Sequence, residues 1–169
     1  MITLWPISIE DTGFMLDLVH DPEATKYVPG LIRKEDEMRA WIEGIQPEDH
    51  EFIVLADGVP IGECSLTVYG CSGEVGFMLL PQYWRHGYGT EMLRQLLNLA
   101  EELGLEEVLA TTDQDNQAAM HLLTKAGFEC QSSGWVLRIP EDEDEVDLSQ
   151  IGQSVVSYHK ALSAGGLNS

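Results

Sequence analysis

The spacing of apolar residues changes period several times along the chain, and each change marks an element. Ile2 to Trp5 reads as a first strand that Pro6 turns. Phe14, Met15, Leu18 and Val19 then recur at helical spacing, after Ser8 as a cap and Glu10 and Asp11 as acids suited to a helix start. Asp21-Pro22 stops that helix. Met38, Trp41, Ile42 and Ile45 predict a second helix over Arg33 to Ile45, with Trp41 packing onto a sheet and Thr25 to Leu31 as the intervening loop. Phe52 to Ala56 and Val59 to Tyr69 flank Asp57-Gly58, a pair suited to the positive φ of a two-residue hairpin turn. A further turn over Gly70 to Gly73 leads into Glu74 to Leu80, the third antiparallel strand of a meander. Within it, Gly76 predicts a bulge or a close backbone approach.

The period lengthens again after Leu80. Met92, Leu93, Leu96, Leu97, Leu99, Ala100 and Leu103 share helical spacing, and Gly104 ends it. Val108 to Thr112 is a short strand, and Asn116 is placed to cap a helix over Gln117 to Lys125 that closes at Gly127. Phe128 to Ile139 and Ser154 to Leu162 read as two more strands, and Ala164 to Ser169 as a frayed tail. The acidic run Glu141 to Glu145 between those strands is either a solvated loop or an acidic lip near a substrate entrance. It lacks the ligand spacing of a calcium loop.

One chain of 169 residues with 44% hydrophobic content suits a single domain with a substantial core. The formal charge of -20 with only 9 Lys and Arg argues against nucleic acid, which is held chiefly by cations. Solubility and the steering of a cationic partner both account for the acidity. Pro81 to Ala100 is the exception, with two Arg and one Glu, so a polyanion is tolerated there. Cys64, Cys71 and Cys130 form no paired motif and no cluster with His, so the expectation is reduced thiols, no metal centre and a cytoplasmic setting. No leader and no membrane-spanning run is expected.

The candidate chemistry sits where strand meets helix. The run from Leu79 through Gln82, Tyr83, Trp84, Arg85, His86, Gly87, Tyr88, Gly89 and Thr90 to Glu91 places two glycines at the mouth of a helix whose first amides have no intrahelical acceptor. A side chain at Gly87 or Gly89 is expected to block positive φ or to keep a ligand off the backbone. This wording resembles the Q/R-x-x-G-x-G/A signature of the GNAT acetyltransferase superfamily. Trp84 in place of Gln or Arg, within Tyr-Trp-x-x-Gly-Tyr-Gly-Thr-Glu, is similar to its RimJ/RimL-like branch. Asn116 and Ala126-Gly127-Phe128 match a second landmark of that family.

The resemblance implies a GNAT α/β fold, with a mixed, mostly antiparallel sheet and helices on both faces. It implies acetyl transfer from acetyl-CoA to a primary amine, a protein N-terminus or a small cationic amine, in a ternary complex. The main chain of Phe77, Met78 and Leu79 would run along the pantetheine, the amides of Arg85, His86, Gly87, Tyr88, Gly89 and Thr90 would hold the pyrophosphate, and the two predicted helices before the hairpin would wall the acceptor groove. Asn116 either bonds the pantetheine or caps its helix, and both roles can hold together. A lysine-like amine with pKa of about 10.4 must lose a proton before attack. Glu74 is the first candidate base and Glu63 the second, each also readable as an ordinary strand carboxylate. Three family positions are changed: Thr111 replaces a Glu, Ala119 a Ser near the thiol, and Leu123 a Tyr that would protonate the leaving thiolate. An acyl-CoA-binding module with weak chemistry is therefore an alternative, and homodimerisation is left open. A dinucleotide-binding domain fits less well, because its glycines follow the first strand. His86 is expected at the surface of the loop, Trp84 beneath it, and Trp135 in the core or at the substrate site.

Overall fold

Asp57 and Gly58 take positive φ, 49° and 83°, and join two strands in the tight turn expected of them. That hairpin lies within a computed structural model that describes residues 1–28, 30–137 and 152–162. In chain order the elements are β1 (Ile2–Pro6), α1 (Thr12–His20), α2 (Glu35–Glu43), β2 (Asp49–Ala56), β3 (Val59–Tyr69), β4 (Ser72–Leu79), α3 (Tyr88–Glu102), β5 (Glu107–Asp113), α4 (Gln117–Lys125), β6 (Glu129–Leu137) and β7 (Gly152–Ala161). The acidic run Glu141 to Glu145, the tail and the side chain of Trp135 fall outside the described residues.

The strands form one sheet in the order β1-β2-β3-β4-β5-β7-β6, with β4 and β5 parallel and the other pairs antiparallel. Alternation along the strands sends apolar side chains to both faces. Val54, Leu66, Val75 and Val108 meet Met92, Leu93 and Leu96 of α3 and Leu123 of α4 on one face. Ile53 and Met78 meet Met15, Leu18 and Val19 of α1 and Met38 and Ile42 of α2 on the other. Both faces are thus covered by helices, as the resemblance implies. Trp41 is partly buried against the second of these clusters.

Several local expectations are corrected. The second helix is shorter than Arg33 to Ile45, because Lys34 is still extended and Gly44 caps the other end, while Glu35, Asp36 and Glu37 favour its positive terminus. The first helix opens as a single 3-10 turn, Ile9–Asp11, in which Asp11 reaches back to accept from the Ser8 N–H at 2.8 Å. Gly76 is not a bulge: it faces Ser65 in unbroken register, and a Cβ there would lie 3.1 Å from the Ser65 hydroxyl. The irregularity falls instead between Val54 and Leu55, whose partners Gly62 and Pro60 leave Ile61 unmatched. Trp84 is 42% exposed rather than packed in the core.

The feature that shapes the site is the join between β4 and β5. Only Ser72, Gly73 and Glu74 pair with Glu107, Val108 and Leu109, after which the two strands part. From Val75 onward β4 has β3 on one side and an open wedge on the other.

Candidate cofactor cleft

The wedge is a cleft between β4 and β5, with Val75, Gly76 and Phe77 on one wall and Ala110 to Asp113 on the other. Asn116, Ala119 and Leu123 of α4 close it from the side. Tyr27 and Val28, from the loop between α1 and α2, close it from the opposite face of the sheet. Tyr27 is not among the candidate site residues of the sequence, but the loop that carries it belongs to the helix-loop-helix that the resemblance places along the acceptor groove.

The backbone along the β4 wall can be followed from one bond. The Leu80 N–H donates to the Ile61 carbonyl at 2.8 Å, so strand alternation turns the peptide groups of Met78 and Gly76 towards β3 as well. Those of Phe77 and Leu79 face the wedge, where β5 offers them no partner. Of the three residues expected along the pantetheine, Met78 therefore has its polar main chain in the ladder, and its buried side chain on the α1–α2 face. The Leu79 carbonyl is already engaged, because the Trp84 indole N–H donates to it at 2.8 Å. Trp84 thereby ties the following loop to the strand edge.

That loop turns through a 3-10 turn at Pro81–Tyr83 and two left-handed residues, Arg85 (φ 63°) and Gly87 (φ 80°). Gly87 is the N-cap of α3, and the first intrahelical bond is from the Glu91 N–H to the Gly87 carbonyl. The amides of Tyr88, Gly89 and Thr90 therefore begin the helix without intrahelical acceptors. Arg85, His86 and Gly87 are exposed, and a Cβ at Gly87 would meet nothing within 4 Å. Gly89 lies in the first turn of α3, where a Cβ would come within 2.9 Å of the Leu122 side chain of α4. His86 stacks on Tyr88 with ring centroids 5.5 Å apart.

The electrostatics of the loop are set by pairing. Arg94 donates to Glu91 at 2.8 Å, and this bond, with one from Gln95, holds the Glu91 carboxyl down at about 2. Arg94 is thus neutralised, whereas Arg85 has no ion pair among the described residues. An anion at the loop meets the positive end of α3 and the Arg85 guanidinium together.

Asn116 accepts from the Ala119 N–H through Oδ1 at 3.2 Å and caps α4 at the rim of the cleft. Asn116→Ala is expected to lower stability by about 1 kcal/mol through loss of the cap, measured by denaturant unfolding. A simultaneous loss of coenzyme A affinity in the same variant marks a second role for the amide. Ala119 and Leu123 are buried on the cleft wall, and neither offers a hydroxyl.

The candidate bases stand on the α1–α2 face of the sheet. Glu74 is exposed, opposite Thr67, at the last rung before the wedge opens. Glu63 lies opposite Met78, and burial pushes its carboxyl up to about 7. Burial, then the charges of Glu63 and Asp49, push Glu51 up to about 8. Burial chiefly, with these two carboxylates, holds the Cys64 thiol well above its ordinary range, so it is no nucleophile. No group of three or more potential metal ligands occurs among the described residues, and none of their helices is long and apolar enough to cross a membrane.

A family model described as acetyltransferase (GNAT) domain matches residues 2–129. The FsC-acetyl coenzyme A-N(2)-transacetylase of Aspergillus fumigatus is 29% identical over 145 residues, covering 75% of this chain and 62% of its own length. The matches to curated relatives span 32% to 64% of those relatives. Among solved structures, spermidine N-acetyltransferase from Vibrio cholerae, in complex with CoA and spermine, superposes with a TM-score of 0.78 at 18% identity, over 95% of each chain. RimL, a ribosomal L7/L12 alpha-N-protein acetyltransferase in complex with coenzyme A, gives 0.79 at 14% identity, over 96% of this chain and 95% of its own. The strand edge, the left-handed loop and the helix mouth are thus found in a chain that belongs to the GNAT acetyltransferase family.

Proposed function

We propose that the protein is an acetyl-CoA-dependent N-acetyltransferase that moves the acetyl group directly to a primary amine in a ternary complex. The observation that carries this reading is the continuity of one surface: the edge of β4 that β5 leaves unpaired, with the peptide of Phe77 and the N–H of Leu79, runs into the left-handed loop and the first amides of α3. An amide-bearing arm can pair with the edge as an added strand, and a pyrophosphate can sit on the loop amides of Arg85 to Thr90 beside the Arg85 charge. The coenzyme supplies the activated acetyl group as a thioester. The chain supplies orientation, and an amide donor such as Phe77 N–H for the oxygen that becomes negative during attack.

The acceptor approaches from the α1–α2 side, where Tyr27 closes the cleft and the strand carboxylates stand. The net charge of -20 favours a cationic amine. The spermidine enzyme and RimL support a small amine and a protein N-terminus respectively, so both classes belong in a test. Glu74, where the strands part, and Glu63, opposite Met78, are the two carboxylates offered for the acceptor's proton. With no hydroxyl at Ala119 or Leu123, the thiolate takes its proton from water or from the attacking nitrogen, which suffices for a thiol of pKa about 8.5.

That hydroxyl-free wall also favours a second reading, an acyl-CoA-binding module with little turnover. The protein is incubated with acetyl-CoA and a panel of diamines, polyamines and N-terminal peptides, and free CoA thiol is followed. Acceptor-dependent thiol release is the expected result. Tight CoA binding without release from any acceptor overturns the transferase reading in favour of the module.

A further inference from the structure

Glu63 and Glu51 are the two described carboxylates that burial shifts most, and nothing in the fold explains their retention. Both side chains are half-buried rather than sealed from solvent, and carboxylates desolvated to that degree are normally paired or hydrogen-bonded. Neither Glu63 nor Glu51 has a hydrogen-bond donor or a cation beside it among the described residues. Glu63 is flanked across the strands by Ile53 and Met78, both buried in the cluster under α1 and α2. Glu51 is its diagonal neighbour, since Glu51 faces Ser65 and Glu63 faces Ile53. Asp49 follows two residues along β2 on the same face, opposite Thr67 at the strand end. The three carboxylates make a row that starts beside the cleft wall and ends at the start of β2.

The cleft communicates with this row at Gly76. Gly76 lines the cleft, its vacant side-chain position falls on the α1–α2 face, and the Ser65 hydroxyl stands over it. Ser65 is the next residue along that face of β3 from Glu63. A nitrogen poised at the cleft therefore has a polar way past a glycine and a serine to two half-buried carboxylates, Glu51, which faces Ser65 across the strands, and Glu63, two residues along β3. Glu74 shares the face but lies at the closed end of the wedge and is exposed to solvent.

We infer that Glu63 takes the proton from the acceptor's ammonium and that Glu51 and Asp49 hand it outward along β2. The inference rests on the transferase reading. The balance is that of acetyl transfer: the N–C bond forms as the C–S bond breaks, one nitrogen proton ends on the CoA sulfur, and the other leaves through the row. One proton is thus released to solvent in each turnover. The environment suits the task, because burial poises Glu63 at about 7 and Glu51 at about 8, close to neutral pH, where a base is most effective. Among the described residues, the groups that face Glu63 are few. β2 presents Glu51 and Asp49, β4 presents Glu74 beyond Gly76, β3 itself carries Cys64 on the opposite face, and the loop before α2 brings Tyr27 to the cleft. The helices present Met15, Leu18, Val19, Met38 and Ile42, with their charged residues exposed.

The sign follows directly. The base works only when ionised, so kcat rises with pH through the range near 7 and levels above it. E63Q removes that limb: kcat at pH 7 falls about 10²-fold and recovers only as pH approaches the amine's own pKa of about 10.4. Coenzyme A affinity of E63Q, by calorimetry, stays at the parent value, and its melting temperature does not fall, since a half-buried carboxylate has gone. A carbon-13 NMR titration of glutamate carboxyls provides a readout without turnover, and one resonance with a midpoint near 7 disappears in E63Q. A parent-like profile in E63Q, loss of the limb in E74Q, or a Glu63 carboxyl that titrates in the ordinary range overturns the inference and leaves the transferase reading standing. A parent protein that binds coenzyme A but releases no thiol with any acceptor overturns both.

Discussion

Gly87→Val raises the dissociation constant for coenzyme A at least about 100-fold while the protein stays folded. Gly87 has φ of 80°, in the left-handed region that a β-branched residue adopts only at a cost of about 1–3 kcal/mol. Among the described residues no atom lies within 4 Å of the Cβ position, so a side chain there meets no clash with them. It can respond to the strain by rotating the peptides around Gly87. Those rotations swing away the same amides that open α3 and form the cradle, at the residue where the exposed loop hands over to the helix. Loss of three or four aligned donors to a phosphate, each worth about 1.5–3 kcal/mol, exceeds what a 100-fold change needs. Calorimetry with coenzyme A and a thermal melt measure the two effects separately. An unchanged affinity in a folded variant would remove the loop from the cofactor site.

The second large effect is expected at Gly62, for the opposite reason. A Cβ there would overlap the Met78 carbonyl oxygen and lie 2.9 Å from the Leu79 Cα, contacts with backbone that cannot yield by rotating a side chain. Gly62 faces Leu79 across β3 and β4, next to the irregularity where Ile61 stands unmatched against β2. Gly62→Ala must therefore push β3 and β4 apart beside the cleft, and a loss of more than about 3 kcal/mol is expected, enough to abolish folding in a marginal domain. Gly58→Ala provides the contrast. Gly58 has a positive φ of 83° but open space around it, so the loss is held to about 1 kcal/mol. Equal denaturation midpoints for the two alanine variants would show that the close approach at Gly62 is not what requires glycine.

These two glycines illustrate how far local sequence carries. Gly87 is legible because the strand, the glycine pair and the helical spacing after it are neighbours in the chain. Gly62 has no such context, and its constraint comes from Met78 and Leu79, sixteen and seventeen residues on. The carboxylates divide in the same way. Glu74 stands beside the glycine-rich run and attracts attention, whereas Glu51 and Glu63 become one group only through the diagonal register of β2 with β3.

The sequence by itself determined the hairpin at Asp57-Gly58, the helix over Gln117 to Lys125 with its Asn116 cap, the left-handed start of α3 and the family to which the chain belongs. All of these depend on residues within one or two turns of each other, where side-chain spacing, capping and backbone sterics act directly. The tertiary structure alone decided where β4 and β5 part, which strand peptides face the wedge, that Gly89 lies against Leu122, that Trp84 holds the Leu79 carbonyl, and which carboxylates burial poises near neutral pH. Those properties follow from strand register and the stacking of distant elements, and the free energy of desolvating a carboxylate exists only once those elements have closed over it.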